Sequence, residues 1–259
     1  MASWDPSQYA KFAGPRLRPA ADLVARIPDR RFSAAVDLGC GGGQVTGLLR
    51  DRFPDLRLTG IDSSSAMLKA AERALPDARF VLGDIADPAL AAGFDLVVSN
   101  AAFHWLADHR RILRDIVAGL PEGGVLAVQM PQNHAAPSHR LLAEVVALPD
   151  FAPLLAGVSS IRAVDDAADY AGLMFDAGAR AVDAWTTAYV HVLAPAPDSH
   201  PVLEWTKGTA MRPYLDALDE AAAAAFLAAY RERLEMAYPA RPDGRVLFPF
   251  RRVFFVAEK

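Results

Sequence analysis

Cysteine is almost missing from this chain of 259 residues, in which Cys40 is the single one. One cysteine excludes an intrachain disulfide framework and is typical of a reducing compartment. No run of about eighteen apolar residues is present that could cross a bilayer, and the segment MASWDPSQYAKFAG lacks the apolar core of a signal peptide. We therefore expect a cytoplasmic protein without membrane contact.

An excess of positive charge is also missing. The net charge is −4 at pH 7, and the chain has no lysine-rich tail or basic block. Binding to nucleic acid or to anionic lipid through charge alone is therefore disfavoured. The apolar fraction of 53% supplies the core of one large domain, and we expect a monomer or a weak homodimer.

In the first half of the chain, runs typical of strands alternate with segments typical of helices. The strand-like runs are AAVDL, LRLTGID, ARFVLGD, FDLVVSN and GGVLAVQM. The helix-like segments between them include QVTGLLRDRF, SAMLKAAERAL and HRRILRDIVAGL. Apolar strands separated by helices of roughly ten residues indicate βαβ units, and therefore a parallel sheet with helices on both faces.

After the fifth strand the alternation breaks. We predict helical cap insertions at about 133–160 and 198–242, a helix around 165–176, a strand over 181–193 and a closing strand, VLFPFRRVFFVAEK. Two long strands so late in the chain suggest an antiparallel pair at the edge. The predicted fold is a single α/β domain over 1–259, with a Rossmann-like, seven-stranded, mostly parallel sheet that carries an antiparallel edge strand.

Four glycines follow the first strand in the stretch VDLGCGGGQVT. Glycine is needed where the backbone bends sharply or lies against a ligand. The dinucleotide pattern GxGxxG requires glycine where this chain has Gln44, so that match is incomplete. Asp37 places a negative charge before the loop, which would repel a pyrophosphate and attract an ammonium or sulfonium group. The loop therefore favours a ligand that carries positive charge.

Two further acidic residues end the next two predicted strands, Asp62 in LRLTGID and Asp84 in ARFVLGD. Ligands of such sheets bind beyond the carboxyl ends of the strands, so Asp37, Asp62 and Asp84 are expected at one edge. Asp62 is placed to accept hydrogen bonds from both ribose hydroxyls, and Asp84 from an adenine amino group. The alternative is that the three aspartates only end strands and cap turns.

The loop and the three acids together resemble the class I S-adenosylmethionine-dependent methyltransferase family, whose first motif has the form VLDxGxGxG. The resemblance implies that S-adenosylmethionine is the cofactor. Met67 is expected against the adenine, with a core position on the second helix as the alternative. The expected cofactor-binding residues are Asp37, Gly39, Gly41, Gln44, Asp62, Ser63, Met67, Asp84, Ile85 and Asn100.

The stretch after the fourth strand, SNAAFHW, lacks the NPPY-like pattern of enzymes that methylate nucleic acid on exocyclic amines. With the acidic net charge, this favours a small-molecule acceptor. Over its whole length the chain resembles the trans-aconitate methyltransferase family, notably in SWDPSQYAKFAGPRLRPAADLVARIP, GIDSSSAM, VVSNAAFHWL, VLAVQMPQN, EWTKGTAMRPYL and PFRRVFFVA. It departs from that pattern at Gly42, where proline or asparagine is frequent. The resemblance implies a polycarboxylate substrate, trans-aconitate, that is converted to a monomethyl ester.

Arginine forks suit the two carboxylates of such a substrate that do not react. The expected substrate-binding residues are Trp4, Gln8, Tyr9, Arg16, His104, Trp105, Arg212 and Arg252. For the arginines, the alternative is a solvated surface position, and for the three amino-terminal residues it is a hydrophobic staple of the first helix. A carboxylate is already a nucleophile at neutral pH, so we expect neither an acid–base catalyst nor a metal.

Three alternatives for the function stay open at this point. A dehydrogenase shares the sheet and the loop, although none of the six tyrosines is followed by lysine four places later, as in the Tyr-x-x-x-Lys pair of short-chain enzymes. A methyltransferase of the same class can act on another small acid or on an acyl-carrier thioester. A non-catalytic S-adenosylmethionine-binding or scaffold protein would carry the same motifs.

Overall fold

The computed structural model describes residues 17–158, 164–196, 198–207 and 210–259. The helices are α1 (Arg18–Arg26), α2 (Gln44–Arg52), α3 (Ser65–Ala74), α4 (His109–Gly119), α5 (Pro137–Val146), α6 (Ala167–Asp176), α7 (Pro201–Lys207), α8 (Arg212–Leu215) and α9 (Glu220–Ala237). The strands are β1 (Ala34–Leu38), β2 (Arg57–Asp62), β3 (Arg79–Leu82), β4 (Leu96–Asn100), β5 (Val125–Pro131), β6 (Ala181–Leu193) and β7 (Val246–Glu258). Short 3₁₀ turns lie at Pro88–Ala91 and Phe103–Trp105.

The seven strands form one sheet in the order β3-β2-β1-β4-β5-β7-β6. Strands β1 to β5 pair in parallel, whereas β7 runs antiparallel to β5. The predicted fold class is therefore confirmed, with β7 one place inside the edge that β6 forms. The strand order reverses between β1 and β4, and in such sheets this switch point is where ligands bind.

The two faces of the sheet can be told apart by strand register. Val36, Val97, Leu126 and Phe255 contribute to one apolar cluster, which helices α4 and α6 complete. Because side chains alternate along a strand, the residues between them point to the other face. We call this the α1 face, because α1 packs on β5 while its buried residues lie outside that cluster.

The chain divides into two compact units, and the division falls within β6 and β7. The first consists of 1–131, 164–187 and 252–259, and the second of 132–163 and 188–251. The second unit contains α5 and α7 to α9, and Phe226, Tyr230 and Leu234 of α9 are buried in its own core. The expected role of these helices as a cap stays a prediction. Among the helices of the described residues, none is both long and apolar enough to span a membrane.

Candidate active site

The glycine loop between β1 and α2 is tied to the end of β2. The backbone N–H groups of Gly39 and Cys40 donate to the carbonyl oxygen of Ile61 at 2.8 and 3.0 Å. The N–H of Gly41 donates to Asp62 Oδ2 at 2.9 Å. These three donors are already used within the protein, so they do not form a cradle for a pyrophosphate, in agreement with the incomplete dinucleotide motif.

Gly39, Gly41 and Gly43 of the loop have a positive φ, a conformation that a side chain would disturb, and the first two differ in the space around them. Gly39 has a φ of +76°, and a Cβ atom there would lie 2.4 Å from the Cβ of Ala102 and 3.6 Å from Ile85 Cδ1. Gly41 has a φ of +53°, and no heavy atom lies within 4 Å of the position of its missing Cβ. The lack of a side chain at Gly39 therefore lets the segments after β1, β3 and β4 pack together. At Gly41 it leaves open space beside the loop.

Asp37 is the most deeply buried carboxylate of the site, with 1% of its surface exposed. Thr46 Oγ1 donates to its Oδ2 at 2.7 Å, while its Oδ1 is buried without a hydrogen-bond partner among the described residues. Burial raises the pKa of Asp37 to about 7, against the lowering effect of Thr46, and the charge of Asp62 adds to the rise. The sequence treats Asp37 as a fixed negative charge, whereas burial in the protein alone favours its neutral form.

Asp62 is the last residue of β2 and Asp84 follows β3, at the same edge of the sheet as Asp37. Asp62 holds the loop and also accepts from the Ser64 N–H at 2.8 Å. Asp84 lies two residues beyond the end of β3 at Leu82, is exposed, and accepts from the Ala86 N–H at 3.0 Å. The turn-forming role that the sequence left as an alternative is therefore real. It leaves lone pairs on each carboxylate, because an ionised carboxyl has about four acceptor positions.

The remaining cofactor candidates lie around this edge. Gln44 and Ser63 are exposed, and Ile85 is half-buried. Met67 has 51% of its surface exposed, so the alternative that it belongs to the core is wrong. Its role against an adenine ring stays a prediction, as do the other residue assignments of this group.

Asn100 ends β4, and the chain then turns sharply toward His104. Among the described residues, Ala101 is the one non-glycine with a positive φ, at 54°, a conformation that costs roughly 1–2 kcal/mol. The Ala101 N–H donates to the carbonyl oxygen of Gln129 at 2.9 Å, which fixes the turn. Asn100 Oδ1 is buried and has no hydrogen-bond partner within the described part of the chain.

His104 and Trp105 follow this turn in a short 3₁₀ segment. His104 is buried, and its ring lies 4.8 Å from that of Trp105, which is 54% exposed. Burial lowers the pKa of His104 to about 3, and the positive charge of Arg252 contributes to the lowering. His104 is therefore uncharged near neutral pH, and the expectation that the site holds no acid–base catalyst stays a prediction.

Arg252 is buried on β7, where its Nη1 donates to Gln129 Oε1 on β5 at 3.1 Å. Gln129 is fully buried and was missed among the residues predicted from the sequence. The signal that could have found it was one glutamine inside the otherwise apolar run VLAVQM. By register, Asp37, Asn100, Gln129 and Arg252 all belong to the α1 face. Asp62 and Glu258, nearer the two ends of the sheet, share this face by the same register.

Arg212 differs from Arg252. Its side chain is 76% exposed, and it pairs loosely at 3.8 Å with Asp216, the residue after the end of its helix. Its surroundings are those of the solvated alternative that the sequence left open for the arginines, and its expected contact with the substrate stays a prediction. Trp4, Gln8, Tyr9 and Arg16 lie outside the described residues, so their expected contacts stay predictions.

The residues present fit an S-adenosylmethionine molecule. The buried oxygen of Asp37 has no hydrogen-bond partner among the described residues, and the ammonium or sulfonium group of such a cofactor would satisfy it. The open space beside Gly41 gives the backbone room for close approach. Asp62, at the end of the neighbouring strand β2, offers the carboxylate that a ribose requires.

Comparisons with known proteins agree with this site. A sequence family described as "Methyltransferase domain" matches residues 36–128. The chain is 45% identical to a trans-aconitate 2-methyltransferase of Azoarcus sp. strain BH72, with 99% of each chain covered. It is also 45% identical to one of Methylobacterium nodulans, with 100% of this chain and 99% of the relative covered.

Solved structures show the same fold. A putative methyltransferase from Bacillus halodurans C-125 superposes with a TM-score of 0.59, at 15% sequence identity, over 93% of this chain and 98% of that one. At this identity the likeness concerns the fold alone, whereas the full-length relatives settle the class of protein and make the dehydrogenase alternative wrong. The predicted family, enzyme class and cofactor are thus confirmed: the chain belongs to the trans-aconitate 2-methyltransferase family of S-adenosylmethionine-dependent methyltransferases.

Proposed function

We propose that this protein esterifies a carboxylate of trans-aconitate, releasing the monomethyl ester and S-adenosylhomocysteine. The observation that supports it most is the buried guanidinium of Arg252 on the same sheet face as Asp37. A buried arginine is suited to hold a carboxylate by paired, charge-assisted hydrogen bonds. The family membership points to the same acceptor.

The cofactor is held by the edge that β1 to β4 form. Asp37 receives positive charge with its buried Oδ1, Asp62 accepts from the ribose, and the segment at Asp84 and Ile85 borders the adenine. When bound, S-adenosylmethionine supplies an electrophilic methyl group on its sulfonium. Gly39 and Gly41 let the backbone come close, so that the position of this group is fixed by the sheet and not by flexible side chains.

The protein contributes positioning and a dry site instead of proton transfer. A carboxylate is ionised at neutral pH, so its oxygen needs no base, and neutral His104 is in keeping with this. Correct placement of two reactants is worth roughly 7–11 kcal/mol in favourable systems. Opposite charges on the two reactants disappear during transfer, and a site without water therefore favours the reaction.

Arg252 holds a carboxylate of the acceptor that does not react, which orients the reacting one. Asn100 and His104 lie at the turn after β4 and are placed to contact the acceptor. In the sheet, β4 lies between β1, which carries Asp37, and strands β5 and β7, of which β7 carries Arg252. Trp105, half exposed beside His104, borders the same space. We leave Arg212 out of this site because its guanidinium is solvated.

A panel of acids tests the proposal. Initial rates of S-adenosylhomocysteine formation are measured with trans-aconitate, cis-aconitate, citrate and an acyl-carrier thioester that has a free carboxyl group. We expect the highest kcat/KM for trans-aconitate. A higher value for another acid would support the alternative acceptor, and cofactor binding without turnover of any acid would support a non-catalytic protein.

A further inference from the structure

Gln129 is a fully buried polar residue in the middle of the sheet. On the α1 face it shares its strand with Val125 and Ala127, both fully buried and apolar. Its register partner on β4 is Asn100. A glutamine at such a position is costly unless its amide is satisfied.

The orientation of this amide follows from its neighbour. A guanidinium only donates hydrogen bonds, so the oxygen of Gln129 must face Arg252, as the contact of 3.1 Å shows. The amide nitrogen is therefore directed elsewhere. Nε2 is buried and has no hydrogen-bond partner among the described residues.

We propose that Gln129 is an acceptor-binding residue, whose amide N–H₂ donates to a carboxylate oxygen of the substrate while its side-chain oxygen orients Arg252. This inference rests on the proposed function and adds a second donor to the carboxylate subsite. A neutral donor beside a buried cation suits an ionised carboxylate, because each additional donor strengthens binding of the anion without repelling the guanidinium.

A purely structural role explains the geometry less well. A residue kept only for packing could be a methionine of similar volume, which would bury no amide N–H₂ group without a partner. Buried polar groups that are incompletely satisfied occur at functional sites, where a ligand completes them. The row of Asp37, Asn100, Gln129 and Arg252 then extends from the cofactor loop to the carboxylate subsite along one sheet face.

Two variants separate the parts of the proposal. Gln129→Glu keeps an acceptor for Arg252 and replaces the donor by an oxygen, which repels the substrate. Gln129→Met removes both groups at similar volume. Ser99→Ala is the matched control, because Ser99 is a buried polar residue of the neighbouring strand that donates to the Leu38 carbonyl oxygen at 2.8 Å from the opposite face.

The measurement is calorimetric binding of trans-aconitate to the protein loaded with S-adenosylhomocysteine, together with the KM for the acceptor. We expect Gln129→Met to weaken acceptor binding roughly 10- to 100-fold and Gln129→Glu at least as much. Affinity for S-adenosylmethionine should change less than about threefold, as should acceptor binding by Ser99→Ala. If Glu prevents folding, the methionine variant alone decides.

A comparison of ligands distinguishes direct contact from a structural effect. Binding is repeated with dicarboxylates that each lack one carboxylate of trans-aconitate, and the penalty of Gln129→Met should fall below about threefold for one of them. An equal penalty for every acid, or an equal loss of cofactor affinity, overturns the inference. Unchanged acceptor binding by both variants, with methyl transfer intact in the parent, overturns this inference alone. A parent protein that binds no polycarboxylate overturns the proposed function as well.

Discussion

Thr46 donates a hydrogen bond of 2.7 Å to one oxygen of Asp37 and leaves the other oxygen buried without a partner among the described residues. One carboxyl oxygen is thus held by a hydrogen bond, while the other is buried with no donor beside it in the described part of the chain. Its pKa is raised to about 7 by burial. The protein without ligand therefore carries an electrostatic cost that a cation at Oδ1 relieves.

Cofactor affinity should depend on pH through Asp37. Below about pH 7 the carboxyl must lose a proton to receive the cation, so affinity for S-adenosylmethionine should fall about tenfold per pH unit, whereas above pH 7 it should level off. Calorimetry at several pH values measures this. Methylthioadenosine, which lacks both positive groups, is the control and should bind independently of pH in the same range.

Removing the charge of Asp37 should lower the affinity for the cofactor without lowering the free energy of unfolding. The raised pKa means that the folded state retains a proton which the unfolded chain loses above about pH 4, so this carboxyl lowers the free energy of unfolding progressively between about pH 4 and pH 7. Asp37→Asn should therefore lose cofactor affinity at least about 100-fold at pH 8 without a lower Tm. A Tm that falls with the affinity would show that Asp37 is structural.

The control for this variant is Asp95→Asn. Asp95 accepts from the N–H groups of Ser33 and Ala34 at 2.7 and 2.9 Å, near the start of β1. Removing its charge should leave cofactor affinity unchanged and lower stability by roughly 1 kcal/mol.

Alanine at the loop glycines should have unequal effects. Gly39→Ala places a Cβ 2.4 Å from Ala102 and should destabilise the fold as well as weaken cofactor binding. Gly41→Ala meets no atom within 4 Å, so it should keep most of the stability and lose affinity because its methyl group occupies the ligand's space. Thermal unfolding and calorimetry on both variants check this.

Gly93→Ala is the matched control for backbone strain. Gly93 has a φ of +83° and, like Gly41, has no heavy atom within 4 Å of its Cβ position. It lies between β3 and β4 before the start of β4, at the end of the sheet away from the loop. It should lose about 1 kcal/mol of stability with unchanged cofactor affinity; an equal loss of affinity there would mean that strain, and not occupied space, explains Gly41→Ala.

Arg252→Lys should raise the KM for the acceptor roughly 10-fold, since lysine keeps the charge and loses the planar fork. Affinity for the cofactor should not change. Arg251→Lys, at the exposed neighbouring position, should behave like the parent protein. Equal kinetics for the two variants would remove Arg252 from the substrate site.

Much of the fold was predictable because local signals agreed. The five parallel strands are continuous apolar runs, and the loop glycines mark the start of α2 at Gln44. The buried face of the closing strand can also be recognised from the sequence. Val246, Phe248 and Phe250 alternate with exposed residues, and Arg252 continues the buried series. The period of two thus distinguishes Arg252 from Arg251 by sequence pattern alone.

Other features depend on tertiary context that no local pattern carries. Arg212 is exposed on a four-residue helix whose buried residue is Tyr214, and a pattern of four residues is too short to show which side chain faces solvent. The raised pKa of Asp37 depends on how deeply its side chain is buried, and the sequence of β1 does not show this. The role of Gln129 can be inferred only from the antiparallel pairing of β5 with β7, which brings Arg252 beside it.

The most direct test of the account is transfer of an isotopically labelled methyl group from S-adenosylmethionine to trans-aconitate, followed by mass spectrometry of the acids. We predict a monomethyl ester that carries one labelled methyl group, forms in equal amount with S-adenosylhomocysteine, and is hydrolysed by alkali. A folded protein that binds S-adenosylmethionine but yields no labelled ester of trans-aconitate would contradict the account.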